Sequence, residues 1–268
     1  MSSRTKNKYS KTISFKDHKF GLYDLDTFVK DWGSEPRRGV AENRCRIVKK
    51  KDEKVLEITI PKGTTSKGGS FWRLNLPKGL TDVTFEYDIM FGNNFNFVRG
   101  GKLPGLAGGT APGGGSKDKN GFSARLMWRA AVSYDELCHL VKDPKFMDKK
   151  DVHKPYLVQY TYFPDKQTRK WGEDFVYSIK NKKIFLIHNK WYNIMMRIKL
   201  AKDPSKKDSL LAWVNGERVL YKRLNLRKNK QYEVGQVMFS LFFGGQDETW
   251  ATKKKEKVYF RKFLINGS

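Results

Sequence analysis

The residues of this chain able to do chemistry gather around one glycine-rich run. The stretch RGGKLPGLAGGTAPGGG (99–115) holds a single lysine, Lys102, and a Leu-Pro pair. Glycine gives no side chain to pack and costs conformational entropy on folding, so such a run is either a linker or a backbone that must pass close to something. Aromatic segments flank it on both sides, which favours the second reading. In FSARLMWR (122–129), alternation puts Phe122, Ala124, Leu126 and Trp128 on one face and Ser123, Arg125, Met127 and Arg129 on the other. In YLVQYTYF (156–163), Tyr156, Val158, Tyr160 and Tyr162 share a face. Arg125 offers a planar fork for a carboxylate, and Lys102 offers a compact positive charge. A tyrosine, with an ordinary pKa near ~10, can move a proton when neighbouring cations lower that value. Together these types hold an anion and shift a proton beside it.

Other constellations are weaker. The four histidines, His18, His139, His153 and His188, are scattered and have no metal-ligand spacing, and no cofactor is expected. GGKLPG is not a phosphate-binding loop, because leucine follows the lysine and no helix signal comes after it. Glu86 and Asp88 share the outward face of one segment and are the one carboxylate pair of interest, either as a hydrolase pair or in positioning a substrate. Cys45 and Cys138 are expected to be unpaired thiols.

The elements that must position these residues are mostly strands. Period-two runs bounded by turn residues occupy 54–61, 83–91, 122–129, 156–163, 191–200, 210–224, 234–245 and 257–267. Asn215-Gly216 marks a hairpin. SYDELCHLVKD reads as a capped helix, with Ser133 and Glu136 forming a capping box. The pattern predicts an all-β, single-domain, two-sheet sandwich or jelly roll. A basic mobile tail is expected over 1–12, one domain over 13–268, and a short helical insertion at about 131–155. Lys and Arg number 54 against 28 Asp and Glu, a net charge of +26. That surplus calls for a polyanionic partner: a nucleic acid, an acidic polysaccharide or a membrane surface. No apolar run approaches the roughly 20 residues of a membrane helix. The N-terminal MSSRTKNKYSK has no apolar stretch of the secretory kind, which implies release by lysis, packaging in a virus particle or excision from a precursor.

GGKLPGL resembles a segment of the polysaccharide lyases that cleave alginate and glucuronan. These are family fourteen, known from large viruses of Chlorella-like algae and from molluscs, and the fungal glucuronan lyases. SAR (123–125), YTY (160–162) and SLFFGG (240–245) continue the resemblance, which spans about 55–265 and is nearest to the algal-virus enzymes. It implies a jelly roll whose concave sheet forms a substrate cleft. It also implies catalytic roles for Lys102, Ser123, Arg125, Tyr160 and Tyr162; substrate contacts are expected around them from Arg99, Arg129, Met127, Ser240, Glu86 and Asp88. The reaction expected is β-elimination of a 4-linked polyuronate, with Tyr162 as base and acid and Tyr160 aligning the sugar or sharing the proton. Glucuronan of an algal cell wall is expected to be preferred over alginate. The interval between Ser-x-Arg and Tyr-x-Tyr is lengthened by the helical insertion, which implies a different cleft rim. The expected partner is thus an acidic polysaccharide substrate, with no nucleic acid or membrane, and the protein is expected to be a monomer. A non-catalytic polysaccharide-binding module of the same fold, and a nucleic-acid-binding protein, are the alternatives.

Overall fold

In the computed structural model, which describes residues 9–141, 143–168, 170–228 and 232–268, alternating apolar residues zip two antiparallel sheets face to face. One sheet has nine strands, with Asp82–Phe91 and Glu256–Gly267 at its centre. The other has seven, in the order Glu173–Val176, Tyr156–Tyr162, Gly121–Arg129, Gly100–Gly109, Gln236–Phe243, Ser70–Asn75 and Pro36–Arg38. Phe122, Ala124, Leu126 and Trp128 face inward and meet Val83, Phe85, Tyr87, Ile89 and Phe91 from the facing sheet. This is the aligned packing of a β-sandwich, with each strand giving one face to the core. The architecture is the jelly-roll sandwich that the alternation predicts.

The Asn215-Gly216 turn forms as read: both residues have positive φ and join Asp208–Val214 to Glu217–Leu224. Residues 131–155 hold the helix Tyr134–Leu140 and two short 3-10 turns. The Ser133 hydroxyl caps that helix at the Glu136 N–H. Several elements escape the period-two reading, among them the strands Cys45–Lys50 and Ser70–Asn75. Tyr9–Ser14 is a strand paired with Glu256–Gly267, and Ile13 reaches the core. The tail expected over 1–12 therefore stops short of Tyr9, and residues 1–8 lie outside the described residues. The helix Leu25–Trp32, capped by Asp24 and stopped by Gly33 in the left-handed region, buries Phe28 and Trp32 against Trp72. Cys45 and Cys138 are unpaired.

The glycine-rich run is itself a strand, Gly100–Gly109, in the interior of the seven-stranded sheet. For convenience it is called the lysine strand, its neighbours Gly121–Arg129 and Tyr156–Tyr162 being the arginine and tyrosine strands. Proline has no N–H to give a sheet ladder and normally sits at edges or bulges. Pro104 obeys this rule inside the sheet: the pairing shifts register between Lys102 and Gly105 on one side and between Met238 and Phe242 on the other. Leu103 and Leu106, three residues apart, both reach the core, which strict alternation forbids. The bulge absorbs the extra residue and sets Lys102 on the outer face.

At Gly101 and Gly105 the backbone does pass close to something, and that neighbour is another strand. A Cβ on Gly101 would lie 2.1 Å from the Trp128 ring, and one on Gly105 would lie 2.1 Å from the Ala124 carbonyl oxygen and 2.5 Å from the Arg125 Cα. These residues are bare so that the arginine strand and its tryptophan can close on the lysine strand. Gly105→Ala is therefore expected to destabilise the protein by about 1–3 kcal/mol through overpacking, read as a lowered urea midpoint. An unchanged midpoint would show that the two strands can separate freely at this point.

Candidate active site

Register brings the chemistry together. Across the arginine and tyrosine strands, Arg125 pairs with Tyr160, Ser123 with Tyr162, and Met127 with Val158. Across the lysine and arginine strands, Lys102 pairs with Met127. Three neighbouring strands thus place Lys102, Arg125, Tyr160 and Tyr162 side by side on the outer face of the sheet. They line a cleft of about 1030 Å³, whose walls include Trp171, Trp250 and the helical insertion at Glu136 and His139.

The Lys102 ammonium lies 3.1 Å from the centre of the Tyr160 ring and donates to Met127 Sδ at 2.9 Å. A thioether is a weak acceptor. Burial, with Arg125 and Arg129 nearby, holds the Lys102 amine well below the usual lysine range. The two phenol oxygens are 3.2 Å apart. Tyr160 Oη accepts from the Gly172 N–H, and Tyr162 Oη accepts from the Gly115 N–H, each at 3.0 Å. One phenolic proton bridges the pair, and the other is left for the cleft. Burial and the adjacent Tyr162 push the Tyr160 phenol above its ordinary value. Burial also lowers the proton affinity of Arg125, the two tyrosines oppose that shift and Arg73 adds to it. Among the described residues Arg125 has no carboxylate partner, and its Nε is buried without a hydrogen bond.

The other expected residues divide. Arg129 sits on the same face, bonded through Nε to Asp174 at 2.8 Å, with its guanidinium over the Tyr160 and Trp250 rings. Burial opposes the Arg129 charge, yet Asp174 prevails and its proton affinity is raised. The Ser123 hydroxyl is already spent: it donates to the Pro112 carbonyl at 2.6 Å and pins the loop that delivers Gly115 to Tyr162. Met127 is the acceptor under Lys102. Ser240 is fully buried on the strand beside the bulge, with no partner for its hydroxyl. Arg99 stands at the rim and ties Glu136 of the inserted helix to the sheet.

Glu86 and Asp88 are a correction. They lie on Asp82–Phe91 of the nine-stranded sheet, where both accept from Asn193 and pair with Lys262 and Arg261. Alternation turned them correctly away from the core, but it cannot say which of two sheets a strand joins. Asp174, Trp171 and Trp250 were missed. They fall on a four-residue strand, a loop and a 3-10 turn, none of which carries a period-two signal.

The cleft and its fold are those of an enzyme that works on carbohydrate polymers, and comparison with known proteins agrees. The family model described as Polysaccharide lyase 14 matches residues 48–263. The chain belongs to this family and is a polysaccharide lyase. No curated protein sequence matches it. Among solved structures, it is similar to the alginate lyase Aly36B, with 21% identity, 96% of each chain covered and a TM-score of 0.77. It is also similar to the marine PL-14 alginate lyase from Aplysia kurodai, with 20% identity, 98% of this chain and 99% of that one covered and a TM-score of 0.68. The alginate lyase vAL-1 from Chlorella virus shows 18% identity, with 94% and 99% covered and a TM-score of 0.65.

The buried amine has a thermodynamic consequence. Between the depressed folded value and the ordinary lysine range near ~10.4, the unfolded chain holds more protons on Lys102 than the folded one, so stability rises with pH across that window. Below the window both states are protonated and the burial cost is at its full size. Lys102→Met, which keeps the volume and removes the charge, is expected to raise the melting temperature at neutral pH, with the gain shrinking as pH climbs toward the lysine range. A variant that melts at or below the wild type at pH 7 would contradict this account of the cleft.

Proposed function

We propose that the enzyme cleaves a 4-linked polyuronate by β-elimination at the Lys102, Arg125, Tyr160 and Tyr162 cluster. The observation that carries this reading is the phenol pair held beside cations that lack enough carboxylates of their own. In such a polymer the proton on C5 lies next to the carboxylate. Its removal builds a second negative charge onto that group, and preorganised donors at the developing charge are usually the largest catalytic contribution. Arg125 and Lys102 supply them. A substrate carboxylate beside Lys102 also offsets the burial and like-charge repulsion that weaken its hold on a proton.

Tyr162 is the base in this reading. Tyr160 keeps its proton, because burial disfavours its anion, and donates to Tyr162. The Gly115 N–H gives Tyr162 Oη a second donor. Two donors thus converge on the oxygen that meets the C5 proton. Tyr162 takes the C5 proton, the C4–O bond breaks, a C4–C5 double bond forms, and the same proton passes to the leaving oxygen. In glucuronate and mannuronate the proton and the leaving oxygen lie on one side, so a single group can serve both steps. Three of the similar solved structures bear the name alginate lyase, which supports polymannuronate as a first polymer to test beside the expected glucuronan.

The test is the ultraviolet absorbance of the unsaturated uronate released from each polymer. Tyr162→Phe keeps the ring and its packing, and is expected to lose on the order of 10²–10⁴ in kcat with little change in KM. Arg125→Ala is expected to lose on the order of 10²–10³ in rate while folding normally. Near-normal kcat in both Tyr160→Phe and Tyr162→Phe would move the base elsewhere, with Lys102 the first candidate.

A further inference from the structure

We propose that the substrate track continues past Arg125 onto a second, arginine-built subsite formed by Arg37, Arg38 and Arg73, which binds carboxylates of uronate residues away from the bond being cleaved. The proposal rests on the polyuronate reading above and adds a site to it. A hollow of about 420 Å³ adjoins the main cleft and shares Arg125, Gly114 and Phe242 with it. Arg37 and Arg38 reach it from the edge strand Pro36–Arg38, and Arg73 from Ser70–Asn75. The Arg73 strand lies three strand spacings from the arginine strand, about 14 Å, which is longer than one sugar ring.

The hollow is built for an anion. Arg38 lies over the Phe242 ring at 5.4 Å and Arg73 over the Phe71 ring at 5.9 Å, so aromatic faces hold both guanidiniums. The Nε atoms of Arg38, Arg73 and Arg125 are buried without a hydrogen-bond partner. Leaving buried charged donors unmatched is costly. Among the described residues these arginines make no ion pair, and Glu42, an acid whose charge acts on Arg38, is engaged by the Gly39 N–H. Burial together with Arg37 lowers the proton affinity of Arg73, and Arg73 does the same to Arg125. A row of like charges thus runs from the sheet edge to the catalytic centre, and a string of carboxylates is the ligand that neutralises it. Arg37 and Arg38 precede the residues matched by the family model, 48–263.

The experiment is affinity electrophoresis in native gels containing polyglucuronate or polymannuronate, with the same polymers after carboxyl reduction as the neutral control. It requires no bond cleavage. Arg37→Gln/Arg73→Gln is expected to bind the charged polymer about tenfold more weakly per arginine lost, with retardation on the neutral polymer the same as for wild type. Its KM should rise on long polymer far more than on a trisaccharide that fills only the catalytic centre. Should the double variant misfold by circular dichroism, Arg37→Glu at an exposed position replaces it. Wild-type retardation and wild-type polymer KM in a folded variant overturn the subsite. If the native protein releases no unsaturated uronate, yet its retardation still depends on these arginines, the elimination reading falls and the subsite stands.

Discussion

The rest of the site depends on the crowding of Lys102, Arg125 and Arg129 against one pair of phenols, with Asp174 as the nearby acid. Like charges repel, and burial makes each of them costlier. The sheet holds them together because they stand on three neighbouring strands whose pairing sets them side by side. The stored cost is released when an anion arrives. A site strained in this way gains more from a carboxylate than a site whose cations are already paired. In the proposed reaction, this is how a surplus of positive charge spread over the chain is put to use at one place.

Geometry at that place comes from close strand approach. The bare glycines admit Trp128 and the arginine-strand backbone, and the bulge at Pro104 turns Lys102 outward. Without the bulge, strict alternation through Leu103 and Leu106 would put one of the two leucines outside the core. The same device leaves Ser240 beside a gap in the ladder with its hydroxyl unmatched. Function and packing therefore compete for the same few residues.

Loops complete what the strands begin. Gly115 and Gly172 each bring one N–H to one phenol, so the placement of the pair depends on two segments far apart in sequence. Ser123 anchors the first of these loops and acts through it. Arg99 and Glu136 fasten the inserted helix to the rim, which gives the cleft a wall where a shorter connection would leave it open.

The pattern of alternating residues was enough to define the sandwich, to separate Ser123, Arg125, Met127 and Arg129 from the core set of their strand, and to place Tyr160 and Tyr162 on one face. Those are local properties, because side-chain direction in a strand follows from the pleat alone. The resemblance carried by GGKLPGL, SAR and YTY joined them into one site. Alternation was silent on which sheet a strand enters, so Glu86 and Asp88 were misplaced. It was equally silent on short irregular pieces, so Asp174, Trp171 and Trp250 went unseen, as did the helix Leu25–Trp32. The glycine run was read as backbone that passes close to something, and only the structure shows that at Gly101 and Gly105 this is a neighbouring strand. Sequence determined which way each side chain points; the tertiary structure decided what it meets, because pairing register, bulges and loop contacts are set by residues distant in the chain.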